Sequence, residues 1–205
     1  MLDLNAEAKE LLYRKPQQQN WGARRATKHK RYRSSSIPVH DYVVLDFETT
    51  GFRAGADRII QIGAIKYVNH ELTDILNTLI NPQRHIPISV TELTGLSNEL
   101  VSDAPTIEQK IDELLEFIGD LPIIAHNASF DMGFLYALDN IEGVEIPEYT
   151  VIDTVKLARK MITVTTDHKL TTLTEYLQLE HDAHDAIGDC LATAAIYQYC
   201  TKRHS

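Results

Sequence analysis

The segment YVVLDFETTG at residues 42 to 51 restricts the fold more than any other part of the chain. Its β-branched and aromatic residues favour an extended strand, and strand side chains alternate between two faces. Val43, Leu45 and Phe47 therefore share one face, and Val44, Asp46 and Glu48 share the other. Apolar residues on both faces mark a central strand of a sheet covered on both sides. The two carboxylates then stand no more than about 7 Å apart, from a rise of roughly 3.3 Å per residue. Holding two like charges in such a place is costly unless a divalent cation lies between them. The plain alternative is a strand end at which both acids face water. The Thr49-Thr50-Gly51 turn, where a chain reversal exposes backbone amides, favours a site at the strand's carboxyl end.

The following segments surround that strand with more sheet and with helices. RIIQIGAIKYV (58 to 68) and ELTDILNTLI (71 to 80) predict two further strands and a three-stranded meander. APTIEQKIDELLEFIGD (104 to 120) repeats Ile107, Ile111, Leu114, Leu115 and Ile118 at the spacing of an amphipathic helix. PIIAHN (122 to 127) predicts a short buried strand, SFDMGFLYALDNI (129 to 141) a helix, and YTVID (149 to 153) another strand. Helices are expected over DTVKLARKMI and KLTTLTEYLQL, and a last one from about 185 to 202. Strands first, then alternating helices and short strands, give an α/β fold with a mixed sheet flanked by helices. Residues 1 to 38 contain PQQQNWGARRATKHKRYRSSSIP, preceded by a short helix candidate at NAEAKELLYR, and read as a basic, mobile arm. Residues 39 to 205 form the domain.

Two later segments carry groups suited to chemistry. In IIAHNASFDMGFL, Asp131 falls at a helix start beside Phe130, Phe134 and Leu135. It is either a metal-associated carboxylate or a first-turn acid favoured by the helix dipole. His126 and Asn127 either join a site or satisfy backbone groups at the strand-to-helix turn. In HDAHDAIGDC (181 to 190), His184 and Asp189 would lie about 140° and 7.5 Å apart on one continuous helix and would not converge. If the helix begins at Asp185, His184 sits in the preceding loop and can turn back toward Asp189. The competing pair, His181 and Asp185, needs an earlier helix start, and local geometry permits both.

Composition bounds the setting. No apolar run approaches the roughly 18 residues of a membrane span, and no signal-peptide core is present, so a cytoplasmic protein is expected. Cys190 and Cys200 are the only cysteines, too few for a disulfide framework or a zinc site. The net charge of -9 is unevenly spread. Residues 1 to 40 hold nine Lys/Arg against three Asp/Glu, and residues 41 to 205 hold eleven against twenty-six. So acidic a body repels a polyanion unless cations or a basic arm offset the repulsion.

Taken together, DFETTG, HNASFD and the H-x-A-x-x-D spelled by His184, Ala186 and Asp189 resemble, in order and spacing, the DEDDh 3′-to-5′ exonucleases. Residues 41 to 200 are similar to their DnaQ-like branch of replicative proofreading enzymes, and HIPISVTELTGLSNELV and IDTVKLARK look like that branch's connecting segments. The motif register fits His184 and not His181. The resemblance implies a ribonuclease H-like fold, a mixed five-stranded sheet flanked by helices on both faces. It implies Asp46, Glu48, Asp131 and Asp189 as ligands of two divalent metal ions, and His184 as the catalytic histidine. Hard oxygen ligands without thiolate suit Mg2+ or Mn2+ better than zinc. Asp46 would touch both ions, Glu48 and Asp189 the one nearer the nucleophile, and Asp131 the second. His184, the residue type that changes charge near neutral pH, would take the proton of the attacking water. Thr49, Thr50, Phe52 and Leu96 would seat the terminal nucleotide, with Asn127 and Phe130 nearby. For Phe52, Leu96 and Phe130 core packing is the alternative.

The implied substrate is a single-stranded or frayed 3′ end of DNA, from which nucleoside monophosphates are released. Related branches of the superfamily use the same five residues on RNA, and a non-catalytic binding module is the reading from a different class. A DNA polymerase is the implied partner. The proofreading subunit of the bacterial replicase binds its polymerase through a tail beyond the nuclease domain, whereas this chain stops at Ser205, so the N-terminal arm would have to serve instead.

Overall fold

The computed structural model describes residues 31 to 179 and 184 to 202. Most of the N-terminal arm, and His181, lie outside the described residues. Six strands form one mixed sheet: β1 (Arg33–Ser35), β2 (Tyr42–Thr49), β3 (Ile59–Val68), β4 (Glu71–Leu79), β5 (Ile123–Ala125) and β6 (Thr150–Asp153), in the order β1-β6-β5-β2-β3-β4. β2, β3 and β4 are the antiparallel meander expected, while β5, β6 and β1 run parallel to β2. Asn69 and His70, both with positive φ, turn β3 into β4, the backbone a two-residue hairpin turn requires.

β2 is central because both its faces are covered. Val43, Leu45 and Phe47 pack into one core with α2 (Ile107–Ile118) and α3 (Ser129–Ala137). Tyr42 and Val44 pack into another with Cys190, Ala194 and Tyr197 of α6 (Ala186–Lys202). Helices thus lie on both faces, as expected. α2 opens with a reciprocal capping box between Thr106 and Gln109 and buries Ile107, Ile111, Leu114 and Ile118. α4 (Thr154–Met161) and α5 (Leu170–Leu177) pack against α6 through Ala158, Ile162, Leu173, Ile196 and Cys200. Among the described residues, no helix is long and apolar enough to cross a membrane.

Two elements differ from the sequence expectation. The sheet has six strands, not five, because Arg33–Ser35 adds to β6, with the Arg33 N–H donating to the Tyr149 carbonyl at 3.0 Å. That strand is short, polar and mostly exposed, so no alternating pattern marks it, and its Arg is typical of a protected sheet edge. It also moves the end of the arm: residues 33 to 35, assigned to the arm, belong to the sheet. The second difference is α1 (Ile88–Thr94), which buries no residue and so shows no core-facing period. Its only sequence signals are Pro87 before it and Gly95 after it, the latter in the left-handed region at φ 74.

Candidate active site

β2 delivers Asp46 and Glu48 to the carboxyl edge of the sheet, on the side of α6. Both carboxyls are half-buried, and neither forms an ion pair with a Lys or Arg among the described residues. Burial, followed by the nearby charges of Asp131, Asp189, Glu48 and Asp185, pushes the Asp46 carboxyl well above the usual range. Glu48 is pushed up to about 7, first by burial and then by Asp189 and Asp185. A β-bulge between Glu48 and Thr49 ends the regular ladder here, as is common beside sites.

Asp131 arrives from the first turn of α3 and is 2% exposed. Its Oδ1 accepts the Phe47 N–H at 3.1 Å, which ties α3 to the backbone between the two strand acids. Burial raises its carboxyl to about 8, against the lowering effect of hydrogen bonds from Phe47 and from its own N–H. The sequence left open whether this was merely a dipole-favoured acid. Its near-complete burial beside Asp46 shows that more than the dipole is involved.

The remaining two groups come from the start of α6. Asp185 is the residue before the helix: its Oδ2 accepts the Gly188 N–H at 3.0 Å and its Oδ1 accepts from Gln61 Nε2 at 3.3 Å. The helix therefore starts where the His184 alternative requires. His184 has a φ of 67, a left-handed conformation costly for a residue with a Cβ, and this turn swings its ring back. Ligand atoms of Glu48, His184 and Asp189 lie within 4.8 Å of one another. The approach of α6 depends on Gly63, the pairing partner of Asp46 on β3, since a Cβ there would stand 2.6 Å from the Ala186 backbone.

A cleft of about 220 Å³ opens over these groups. Asp46, Glu48, His184 and Asp189 form its floor, Thr49, Phe52 and Phe130 one side, and Val90, Leu93 and Thr94 of α1 another. Phe52 is 85% exposed and meets Phe130 edge to face at 6.4 Å. Thr50, Leu96 and Asn127 do not line it. Thr50 is buried, with its Oγ1 accepting the Arg58 N–H to close the 51–58 loop. Leu96 is buried with Ile60, Ile86 and Val101, and its carbonyl accepts from Thr91 Oγ1, which anchors α1. Asn127, at φ 60, turns the chain from β5 into α3. His126 is bonded to Thr154 Oγ1 and the His168 carbonyl, the structural reading of that histidine. Of the cleft residues that sequence reasoning missed, Val90 and Leu93 share one signal, apolar residues on a short helix that fully buries neither; Thr94 carries no such signal.

Glu48, His184 and Asp189 meet, Asp46 joins them in the cleft floor, and Asp131 lies behind it, near enough to Asp46 for their charges to interact. The carboxyls of Asp46, Glu48 and Asp131 are held at raised affinity for protons without basic partners. That donor set fits divalent cations bound through oxygen. Residues 43–197 match the RNase T family of exonucleases. The chain is 41% identical over 155 residues to the PolC-type DNA polymerase III of Bacillus subtilis, covering 75% of this chain and 11% of that protein. It is 37% identical over 158 residues to the 3′-5′ exonuclease DinG of the same organism, covering 76% of this chain and 17% of that one. The chain thus spans only about a tenth to a sixth of the length of these relatives. Among solved structures, exonuclease X in complex with 5′-overhanging duplex DNA superposes with a TM-score of 0.64 at 25% identity, over 79% of this chain and 92% of that one. The nuclease domain of 3′hExo, a DEDDh family member bound to rAMP, shares the fold at a TM-score of 0.69 and 17% identity, over 82% and 95%. The expected ribonuclease H-like fold is therefore the one observed, and the protein belongs to the RNase T family of exonucleases.

Proposed function

We propose that the chain removes nucleotides from single-stranded or frayed 3′ ends of DNA in the cytoplasm, releasing nucleoside 5′-monophosphates. The observation that carries this reading is the meeting of Glu48, His184 and Asp189 within 4.8 Å at the mouth of β2. Asp46, Glu48, Asp131 and Asp189 would hold two Mg2+ or Mn2+ ions. Bound there, the ions would offset the negative charge on the entering and leaving oxygens of the scissile phosphate. Asp131 anchors the strand acids through Phe47, and Asp185 fixes the helix start that aims His184. His184 takes the proton from the attacking water, and removing such a base typically costs about 10²- to 10⁴-fold in rate. Phe52 and Phe130 offer faces on which the terminal base stacks.

The PolC-type relatives support a replicative polymerase as partner, with the basic N-terminal stretch adding sequence-independent grip on the backbone. The test is hydrolysis of a 3′-labelled single strand with Mg2+ or Mn2+, beside RNA of the same sequence and a mismatched duplex end. Mononucleotide release should vanish in EDTA and in Asp46→Ala. Activity surviving either condition rejects the site, and equal or faster cleavage of RNA rejects the DNA assignment.

A further inference from the structure

β2, β5, β6 and β1 run parallel, so their carboxyl ends lie along one edge of the sheet. The acids occupy the β2 end of that edge. At the β1 end lies a second cleft, of about 440 Å³, between Ser34, Ser35 and Ser36 on one side and Lys156, Leu157, Arg159 and Lys160 of α4 on the other. Residues 41 to 205 contain only eleven Lys/Arg, and three of them line this one cleft. Lys156 stands 3.8 Å from Asp153, which also caps α4 by accepting the Val155 N–H. Arg159 and Lys160 are exposed and carry no ion pair among the described residues. Arg53 and Arg84 flank Asp57 and brace the 51–58 loop.

Asp153, at the end of β6, also lines this second cleft and is near enough to Asp131 for their charges to interact, so the two clefts are neighbours along the edge. At about 4.8 Å per strand, three strand spacings separate β2 from β1 by roughly 14 Å. That distance is about four stacked nucleotides at 3.4 Å each, fewer for an extended strand. On its other side the acid cleft is lined by Val90, Leu93 and Thr94 of α1, by Phe52 and by Phe130, a wall that suits a terminal nucleoside.

We propose that the cleft between β1 and α4 holds the phosphodiester backbone of the single strand upstream of the bond that is cut. This rests on the nuclease reading above. Ammonium, guanidinium and serine hydroxyl donors suit phosphate oxygens without reading base sequence.

The experiment compares the full chain with Lys156→Ala/Arg159→Ala/Lys160→Ala on two substrates. One is oligo(dT) long enough to cross both clefts; the other is the p-nitrophenyl ester of thymidine 5′-monophosphate, which reaches only the acids. The triple variant should raise KM for oligo(dT) about tenfold and leave kcat and ester hydrolysis unchanged. Its slope of log affinity against log salt should fall by about 2, at roughly 0.7 per phosphate contact. Wild-type KM and salt slope in the variant overturn the proposal, as does restoration of neither by the charge-keeping Lys156→Arg/Lys160→Arg variant made in place of the alanines. If wild type cleaves neither substrate the nuclease reading fails by itself, and anisotropy of labelled oligo(dT) still decides the cleft. Binding of anionic vesicles, but not oligo(dT), through the same three residues also refutes it.

Discussion

Gly63→Ala is the smallest change that should separate catalysis from folding in this protein. The added Cβ would stand 2.6 Å from the Ala186 carbonyl carbon and oxygen and 2.7 Å from its Cβ, where ordinary contact begins at 3.4 Å. The obstacle is helix backbone, not a side chain that can rotate away, so α6 must retreat by most of an ångström. His184 and Asp189 flank Ala186 in sequence, and Asp46 pairs with Gly63 across the ladder, so the retreat opens the site at both ends. A displacement of about 1 Å commonly costs about 10²-fold in rate. Overpacking costs about 1 to 3 kcal/mol, part of it returned by the roughly 0.5 to 1 kcal/mol that Ala gains over Gly within a strand. The net loss is about 1 kcal/mol, or roughly 2 to 4 °C in Tm for a chain of this size. Single-turnover hydrolysis and thermal unfolding measured side by side should therefore show a rate loss far beyond the stability loss. Gly133→Ala is the control: its Cβ meets only Ala54 Cβ at 3.4 Å, so the helix should gain stability and the rate should hold. A Gly63→Ala enzyme within twofold of wild-type kcat refutes the account of how α6 is positioned.

His184→Ala should lower kcat by about 10²- to 10⁴-fold with unchanged Tm, and an unchanged rate removes His184 as the base. Phe52→Ala, at a side chain 85% exposed, should leave stability within about 0.5 kcal/mol and raise KM about tenfold through lost base stacking; an unchanged KM places the terminal base elsewhere. In EDTA, stability should fall as pH rises. Glu48 goes from an ordinary 4.5 to about 7, and Asp131 from 3.8 to about 8, so the folded state holds protons that the unfolded chain releases. Their contribution is complete below the unfolded values and is lost as pH passes through about 7 to 8. For Glu48 the loss is roughly 3 kcal/mol at about 1.36 kcal/mol per pH unit. Mg2+ should restore Tm at pH 8, and Glu48→Gln should flatten the profile. A Tm in EDTA that holds steady or rises from pH 5 to 8 contradicts the burial of these carboxyls.

What could be read in the sequence, and what could not, follows from where each signal has its physical origin. β2 was legible because burial on both faces demands an apolar run, and two carboxylates within that run have no structural reason to be there. α2 was legible because one face packs and the other is wet. α1 and β1 bury almost nothing, so no period records them, yet α1 supplies one wall of the cleft and β1 one side of the cleft at the sheet's far end. The choice between His181 and His184 was undecidable from local geometry. It turns on a helix start set by the Asp185 side chain and by Gln61, a residue 124 positions earlier. Gly63 shows the same limit from the other side: in sequence it is one small residue in a strand, and its need for smallness exists only once α6 crosses it. The candidate acids Asp46 and Glu48 announce themselves because they violate the pattern of a buried strand. The residues that aim them obey the pattern of ordinary strands, caps and turns, so only the assembled fold distinguishes them from packing.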